Sequence, residues 1–140
     1  MTAVVLFACV HNAGRSQMAA AFFNQRSGSA LVRAVSAGTS PGERVHPEVV
    51  AVMMEAGIDL SREKPRKLTQ ELSQEAAVLV TMGCGEQCPY VPGLLREDWP
   101  LEDPKGKPLA RVRAIRDEIR GRVEDLLERS PWSETTGESA

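Results

Sequence analysis

The stretch AVVLFACVHNAGRSQMAAAFF, residues 3–23, decides the fold, because it joins a strand to a helix through a short loop. Residues 3–8 form an apolar, β-prone run, and continuous hydrophobicity of this kind is typical of a central parallel strand covered on both faces. The run SQMAAAFFNQR after the loop has helical spacing, with Ser16 predicted as the N-cap of the helix. The thiol of Cys9 therefore lies where a buried strand ends and a loop begins.

Strands and helices alternate along the rest of the chain. Pro47 and Gly57 bound one of the helices, since proline suits the first helical position and glycine the position after the last. The patterns predict strands over residues 30–38, 76–82 and 96–99, and helices over residues 47–56, 69–75 and 109–129. This alternation indicates the α/β class, as a single three-layer domain in which helices flank a central, mainly parallel, four-stranded sheet. We expect the domain to span residues 1–129 and the polar residues 130–140 to form a disordered tail.

Composition narrows the range of partners. The 140 residues include 17 basic and 19 acidic side chains, and this near balance disfavours nucleic acid, which usually binds a strongly basic face. The longest apolar run, residues 3–10, is too short to span a bilayer and lacks the features of a signal peptide. We therefore expect a cytoplasmic protein without a membrane partner, and a monomer, because no long apolar surface stripe is evident.

The loop after the first strand has the features of a site for a tetrahedral anion. Ligands of α/β sheets bind outside the carboxyl ends of the strands, where backbone N–H groups of a loop can form an anion-binding nest. The next helix directs its positive dipole end there, and the guanidinium of Arg15 matches two oxygens of an oxyanion. The predicted oxyanion-binding residues are Val10, His11, Asn12, Ala13, Gly14, Arg15 and Ser16, although His11 is explained more simply as an ordinary loop residue.

The same positive surroundings favour the thiolate form of Cys9. Ser16 is in a position to donate a hydrogen bond to the sulfur, which would then be a nucleophile directed at the central atom of the bound oxyanion. Five residues separate Cys9 from Arg15, and no Gly-Lys-Ser/Thr sequence follows, so the loop is not a nucleotide-binding loop.

These motifs resemble those of the low-molecular-weight tyrosine phosphatase superfamily, and most closely those of the arsenate reductases built on that fold. The matching segments are CVHNAGRSQMA at 9–19, SAGT at 36–39, VTMGCGEQCP at 80–89, EDWPLEDPKGK at 97–107 and RAIRDEI at 113–119. The resemblance covers nearly the whole chain up to about residue 129 and implies the low-molecular-weight phosphatase fold.

The resemblance also implies roles for single residues. Cys9 would be the catalytic nucleophile and Arg15 the oxyanion ligand, while Asn12 would hold the shape of the loop and Ser16 would stabilise the thiolate. Asp103, which precedes a proline, would be the general acid that protonates the leaving oxygen. On the residues alone Asp103 is equally well explained as a turn acid, because aspartate is common at such positions.

Two further cysteines favour reduction of arsenate, for arsenic detoxification, over hydrolysis of a phosphate ester. Reduction moves two electrons, which thiols supply by ending as a disulfide. In the implied relay Cys9 attacks arsenate, Cys84 attacks Cys9 as arsenite leaves, and Cys88 then attacks Cys84. Phosphate or sulfate would bind in the same loop as analogues of arsenate.

The reductant that resets the enzyme stays open. Thioredoxin is preferred, but only three residues separate Cys84 from Cys88, fewer than in the thioredoxin-coupled members of the family. Mycothiol with a mycoredoxin or another glutaredoxin-like partner is the alternative. No resident cofactor is implied, except that some relatives bind potassium near the positions of Asn12 and Ser36.

Three other functions fit parts of the sequence. A low-molecular-weight protein tyrosine phosphatase would hydrolyse aryl phosphates through a phosphocysteine, but Lys105 and Gly106 beside the predicted acid offer no partner for a substrate ring. A redox or arsenic sensor would use the three thiols without needing Arg15 or Asp103. A zinc site at CGEQC with His11 or His46 is disfavoured, because structural zinc usually has four ligands at recognised spacings.

Overall fold

The computed structural model describes residues 3–27, 31–83 and 94–129 and has one sheet with helices on both faces. The elements in chain order are β1 (Ala3–Cys9), α1 (Arg15–Ser27), β2 (Val32–Gly38), α2 (Pro47–Glu55), α3 (Gln70–Glu75), β3 (Val78–Thr81), β4 (Leu95–Asp98) and α4 (Leu109–Arg129). This order confirms the predicted α/β class. The predicted disordered tail, residues 130–140, lies outside the described residues.

The sheet has four strands in the order β2-β1-β3-β4, and every pair of neighbours is parallel. Alternate residues of the central strand β1 separate into two cores: Val5, Phe7 and Cys9 pack with α1, α2 and α4, whereas Leu6 and Ala8 pack with residues around α3. Burial on both faces explains why β1 reads as an uninterrupted apolar run. The register brings Cys9 level with Gly38 at the carboxyl edge of the sheet.

The ends of two helices show which local signals determine structure here. Helix α2 begins at Pro47, and Gly57 ends it with a φ of 83° and a backbone N–H that donates to the carbonyl of Met54. The predicted N-cap of α1 is wrong, because the helix begins at Arg15 and Ser16 lies inside its first turn. The hydroxyl of Ser16 is instead bonded to side chains of the loop.

The last helix, α4, has one apolar face and several charged ones. Its buried residues recur at helical spacing, namely Val112, Ile115, Ile119, Val123 and Leu126. Arginines on the remaining faces pair with acids of α2, β4 and α4 itself. In the described ranges, no helix is both long and apolar enough to cross a membrane.

Candidate active site

The loop of residues 10–14 leaves the carboxyl end of β1 and lies between the ends of its two neighbouring strands. After β2, Thr39 donates its backbone N–H to the carbonyl of Cys9, at 3.1 Å. After β3, Met82 donates its backbone N–H to the carbonyl of Ala8, at 2.8 Å. A Cβ atom on Gly38 would lie only 2.6 Å from the carbonyl oxygen of Val10. Glycine is therefore required at position 38 if the loop is to pack against the end of β2.

The carbonyl groups of the loop are bound from outside. Backbone N–H groups donate to them at 2.8–2.9 Å in three pairs: Ser40 to Val10, Gly42 to His11, and His46 to Ala13. In a trans peptide unit the C=O and the following N–H point in opposite directions, so the amides of His11, Asn12 and Gly14 face the other way. The backbone N–H of Asn12 indeed donates to the sulfur of Cys9, at 3.3 Å. The segment after β2 thus shapes an inward-facing nest of donors around the thiol.

The thiol of Cys9 is 2% exposed and lies 2.9 Å from the hydroxyl oxygen of Ser16. That oxygen already accepts a hydrogen bond from the side-chain amide of Asn12, at 2.7 Å. A thiolate has no proton to donate, so in the charged form of Cys9 the hydroxyl of Ser16 is the donor of this contact. Two hydrogen bonds, one from the hydroxyl of Ser16 and one from the backbone N–H of Asn12, therefore stabilise negative charge on the sulfur.

Asn12 holds the loop through both its backbone and its side chain. Its φ of 51° is in the left-handed region, which asparagine tolerates better than most residues. The side-chain oxygen accepts the backbone N–H of Arg66 at 3.0 Å and the amide of Gln17 at 3.2 Å, and Gln17 also donates to the carbonyl of Asn12 at 3.1 Å. No sequence pattern indicates that Gln17 and Arg66 take part in this site.

These hydrogen bonds bear on the predicted potassium ion. Both oxygens of Asn12 already accept hydrogen bonds from Gln17 or Arg66. Ser36 lines a cavity of about 510 Å³, and Gln17, Lys64 and Arg66 line the same cavity. The potassium ion near Asn12 and Ser36 stays a prediction, and no step of the reaction involves it.

Arg15 joins the loop to a distant segment of the chain. Its side chain is 8% exposed, and its Nη1 donates to the carbonyl of Leu101 at 3.1 Å. Its Nη2 lies 3.8 Å from a carboxylate oxygen of Asp103, whose side chain is 43% exposed and also accepts the backbone N–H of Lys105. The structure thus brings together the predicted oxyanion ligand and the predicted general acid.

Pro104 and His46 pack against the loop at Gly14. A Cβ on Gly14 would lie 2.8 Å from Cγ of Pro104 and 3.6 Å from Cδ2 of His46. Burial lowers the pKa of His46 below its usual value, against opposing effects of Glu48 and Asp103. Only the fold brings the ring of His46 to the loop, and no sequence pattern indicates this.

Cys84 and Cys88 lie outside the described residues, so their distances to Cys9 are not part of this geometry. The last described residue before them, Gly83, lies against the guanidinium of Arg15, with its Cβ position 2.7 Å from Nη1. Within residues 3–27, 31–83 and 94–129, no three His, Cys, Asp or Glu side chains are grouped closely enough to hold a metal ion.

A buried thiol in a nest of backbone amides, with an arginine and an aspartate beside the same loop, defines an enzyme of cysteine-based oxyanion chemistry. The sequence matches the family described as low molecular weight phosphotyrosine protein phosphatase over residues 4–134. The chain belongs to this family.

The relatives and solved structures that are similar to this chain include both reductases and phosphatases. The chain is 40% identical, over 87% of its length and 89% of the relative, to a Halobacterium salinarum protein named "Putative arsenate reductase". It is 36% identical, over 88% of its length and 95% of the relative, to the glutaredoxin arsenate reductase of Synechocystis.

Among solved structures, the thioredoxin-dependent arsenate reductase of Corynebacterium glutamicum is similar with a TM-score of 0.78 and 37% identity. That match covers 91% of this chain but 61% of the Corynebacterium chain. The low molecular weight protein tyrosine phosphatase of T. tengcongensis is similar with a TM-score of 0.83 and 28% identity, over 92% of this chain and all of the other.

Proposed function

We propose that this protein is an arsenate reductase, which converts arsenate to arsenite for arsenic detoxification through Cys9 and a relay of two further thiols. The observation that carries the proposal is the buried thiol of Cys9 in its nest of donors, with Arg15 in contact with Gly83. Gly83 directly precedes Cys84 in the sequence. Relatives at 36% and 40% identity with arsenate reductase names support the same activity.

In the first half of the reaction the sulfur of Cys9 attacks the arsenic of a bound arsenate. A sulfur–arsenic bond forms and an arsenic–oxygen bond breaks, and Asp103 donates the proton with which that oxygen leaves as water. Arg15 and the loop amides hold the remaining oxygens. The oxidation state of arsenic does not change in this step, so arsenic is still As(V).

In the second half the thiolate of Cys84 attacks the sulfur of Cys9. A disulfide forms, the sulfur–arsenic bond breaks, and its electron pair stays on arsenic, which leaves as arsenite in the As(III) state. Cys88 then attacks Cys84 and frees Cys9. The strand register supports this order, because Met82, directly after the strand that pairs with β1, donates its backbone N–H to Ala8, and Cys84 follows two residues later in the sequence.

An external dithiol must reduce the final disulfide. We propose thioredoxin, as in the name of the Corynebacterium relative, with a glutaredoxin-type or mycothiol-type partner as the alternative, as in the name of the Synechocystis relative. NADPH consumption by the purified protein with arsenate and each complete reducing system would distinguish these partners.

Hydrolysis of aryl phosphates is the second candidate function, since the T. tengcongensis phosphatase has the same fold. A phosphatase would use Cys9, Arg15 and Asp103 in the same way but would not need a second thiol. Pro104, which follows Asp103, contacts the loop at Gly14. Lys105 and Gly106 next to that contact offer no ring for an aryl group to stack on.

Mass spectrometry of disulfides after one arsenate turnover tests the proposal. The wild-type protein should accumulate a disulfide between Cys84 and Cys88, the Cys88→Ser variant one between Cys9 and Cys84, and Cys84→Ser none from the relay. Phosphate in place of arsenate is the matched control, since it binds but cannot accept electrons. Full multiple-turnover reduction by Cys84→Ser, or brisk aryl phosphate hydrolysis without arsenate reduction, would contradict the proposal.

A further inference from the structure

We propose that Gly83 is a positioning residue, which holds the guanidinium of Arg15 in place and so links the oxyanion site to the segment that begins at Cys84. The effect on the Cys84 segment rests on the proposed function. The effect on the position of Arg15 does not, because it concerns oxyanion binding alone.

The contact between the two residues leaves no room for a side chain. A Cβ on Gly83 would lie 2.7 Å from Nη1 of Arg15, too close for two non-bonded atoms, and at ordinary contact distances of 3.6 Å from Cζ and 3.8 Å from Nη2. The φ of Gly83 is +92°, where residues with a side chain are strained. Glycine therefore satisfies two independent requirements at this position.

The guanidinium cannot withdraw from such a side chain at low cost. It is buried, its Nη1 donates to the carbonyl of Leu101 at 3.1 Å, and its Nη2 lies 3.8 Å from Asp103. To make room for a methyl group, Arg15 would have to break or lengthen these interactions.

The backbone on the other side is also fixed. Met82, the residue before Gly83, donates its N–H to the carbonyl of Ala8 at 2.8 Å and has no exposed surface. Gly83 therefore continues directly from the central part of the sheet. Because both partners are held, a side chain at position 83 should displace the guanidinium from the direction in which it meets an oxyanion.

The consequence for catalysis follows from what Arg15 touches on each side. Arg15 directly follows the loop that would hold the oxyanion, and its guanidinium contacts Gly83, the residue before Cys84. A displaced guanidinium should weaken oxyanion binding, and a displaced Gly83 should also slow the attack of Cys84 on Cys9, since such reactions depend steeply on geometry.

The test compares Gly83→Ala with Gly57→Ala. Gly57 has nearly the same φ, +83°, but a Cβ there would meet nothing within 4 Å, so this variant carries the backbone strain without the contact. The first measurement is protection of Cys9 from iodoacetamide by inorganic phosphate. We expect Gly83→Ala to raise the phosphate concentration for half protection at least tenfold, and Gly57→Ala to change it less than twofold. Equal protection in the two variants would overturn the inference.

A double-mutant cycle separates the contact from a general loss of stability. Lysine at position 15 lacks the guanidinium, so Gly83→Ala should lower the urea midpoint clearly more in the wild-type background than in the Arg15→Lys background. If Gly83→Ala alone fails to fold, folding of the double variant supports the inference, and failure of both variants contradicts it.

The second measurement is the rate of disulfide formation in one arsenate turnover, which should fall in Gly83→Ala by more than phosphate binding accounts for. If the wild-type protein forms no disulfide with arsenate, the proposed function fails, while the phosphate experiment still decides the role of Gly83. If Gly83→Ala forms the disulfide as fast as Gly57→Ala at saturating arsenate, the link to Cys84 is wrong.

Discussion

At the scale of single residues, the hydroxyl of Ser16 connects Asn12 to the sulfur of Cys9. Its oxygen accepts a hydrogen bond from the side-chain amide of Asn12, and its own proton is donated to the sulfur when Cys9 is a thiolate. The backbone N–H of Asn12 supplies the second donor to the same sulfur. The reactivity of Cys9 therefore depends on a short chain of hydrogen bonds that begins at Asn12, and not on Arg15 alone.

Removal of this hydroxyl should slow the reaction of Cys9. In Ser16→Ala the sulfur loses a hydrogen bond that favours its charged form, and such bonds contribute about 1.5–3 kcal/mol. Because a less stabilised thiolate is also more nucleophilic, alkylation by iodoacetamide near neutral pH should slow by about threefold or more. Ser73→Ala is the matched control, since Ser73 is buried in α3 and its hydroxyl donates to the carbonyl of Thr69. An unchanged rate in Ser16→Ala would mean that this hydroxyl does not stabilise the thiolate.

The sequence predicts residues of this site when a local motif contains them. Cys9, Asn12 and Arg15 all belong to one loop, and their spacing is visible in the chain. Gln17 and His46 were missed, because their roles depend on contacts made by the folded chain: Gln17 reaches the carbonyl of Lys64, and His46 reaches Gly14. Neither the composition of the sequence nor its hydrophobic periodicity indicates such contacts.

At the scale of elements, helix α4 is attached to its neighbours by charge as well as by its apolar face. Glu55, at the end of α2, receives hydrogen bonds from Arg113 and Arg116, at 2.8–3.1 Å. Arg116 also donates to the carbonyl of Val52. The arginine-rich face of α4 is thus partly an interface between two helices.

These bonds should appear in the acid limb of the stability curve. Hydrogen bonds from Arg113 and Arg116 lower the pKa of Glu55 from 4.5 to about 2. A lowered folded-state pKa means that the contribution of the carboxylate is full above its ordinary pKa and is lost as the pH falls toward 2. In Glu55→Gln the urea midpoint should therefore fall less than in the wild type between about pH 5 and about pH 2.

Glu128→Gln provides the control for this titration. Glu128 lies on the same helix, α4, and makes no ion pair with any residue in the described ranges, so its substitution should leave the acid limb as in the wild type. Because Glu55 is exposed, added salt should reduce the difference between wild type and Glu55→Gln. A salt-independent difference, or the same flattening in Glu128→Gln, would argue against the ion pairs.

At the scale of the whole molecule, the periodicities predict most of the fold. The strand β1 and the helix α4 have long, uniform patterns, and the observed ends of all eight elements lie within two residues of the predicted ones. The order of strands in the sheet and the path of residues 39–46 around the loop could not be predicted, because both follow from packing between distant segments.

That path makes oxyanion binding a property of the entire domain. The loop is bonded to the ends of β2 and β3, to the start of α2 and, through Arg15, to residues 101–103. Unfolding of any of these segments should therefore destroy the nest, and a bound oxyanion should oppose unfolding of them all.

Phosphate should accordingly raise the melting temperature of the protein. At a concentration about 100 times its dissociation constant, a ligand adds about 2.7 kcal/mol, which corresponds to a shift of roughly 8 °C in a domain of this size. Sulfate should act in the same direction. Arg15→Ala should lose most of the shift, whereas Arg122→Ala, on the exposed face of α4, should keep it. If the melting temperature of Arg15→Ala rises with phosphate as much as that of the wild type, the anion stabilises the protein at a site that does not include Arg15.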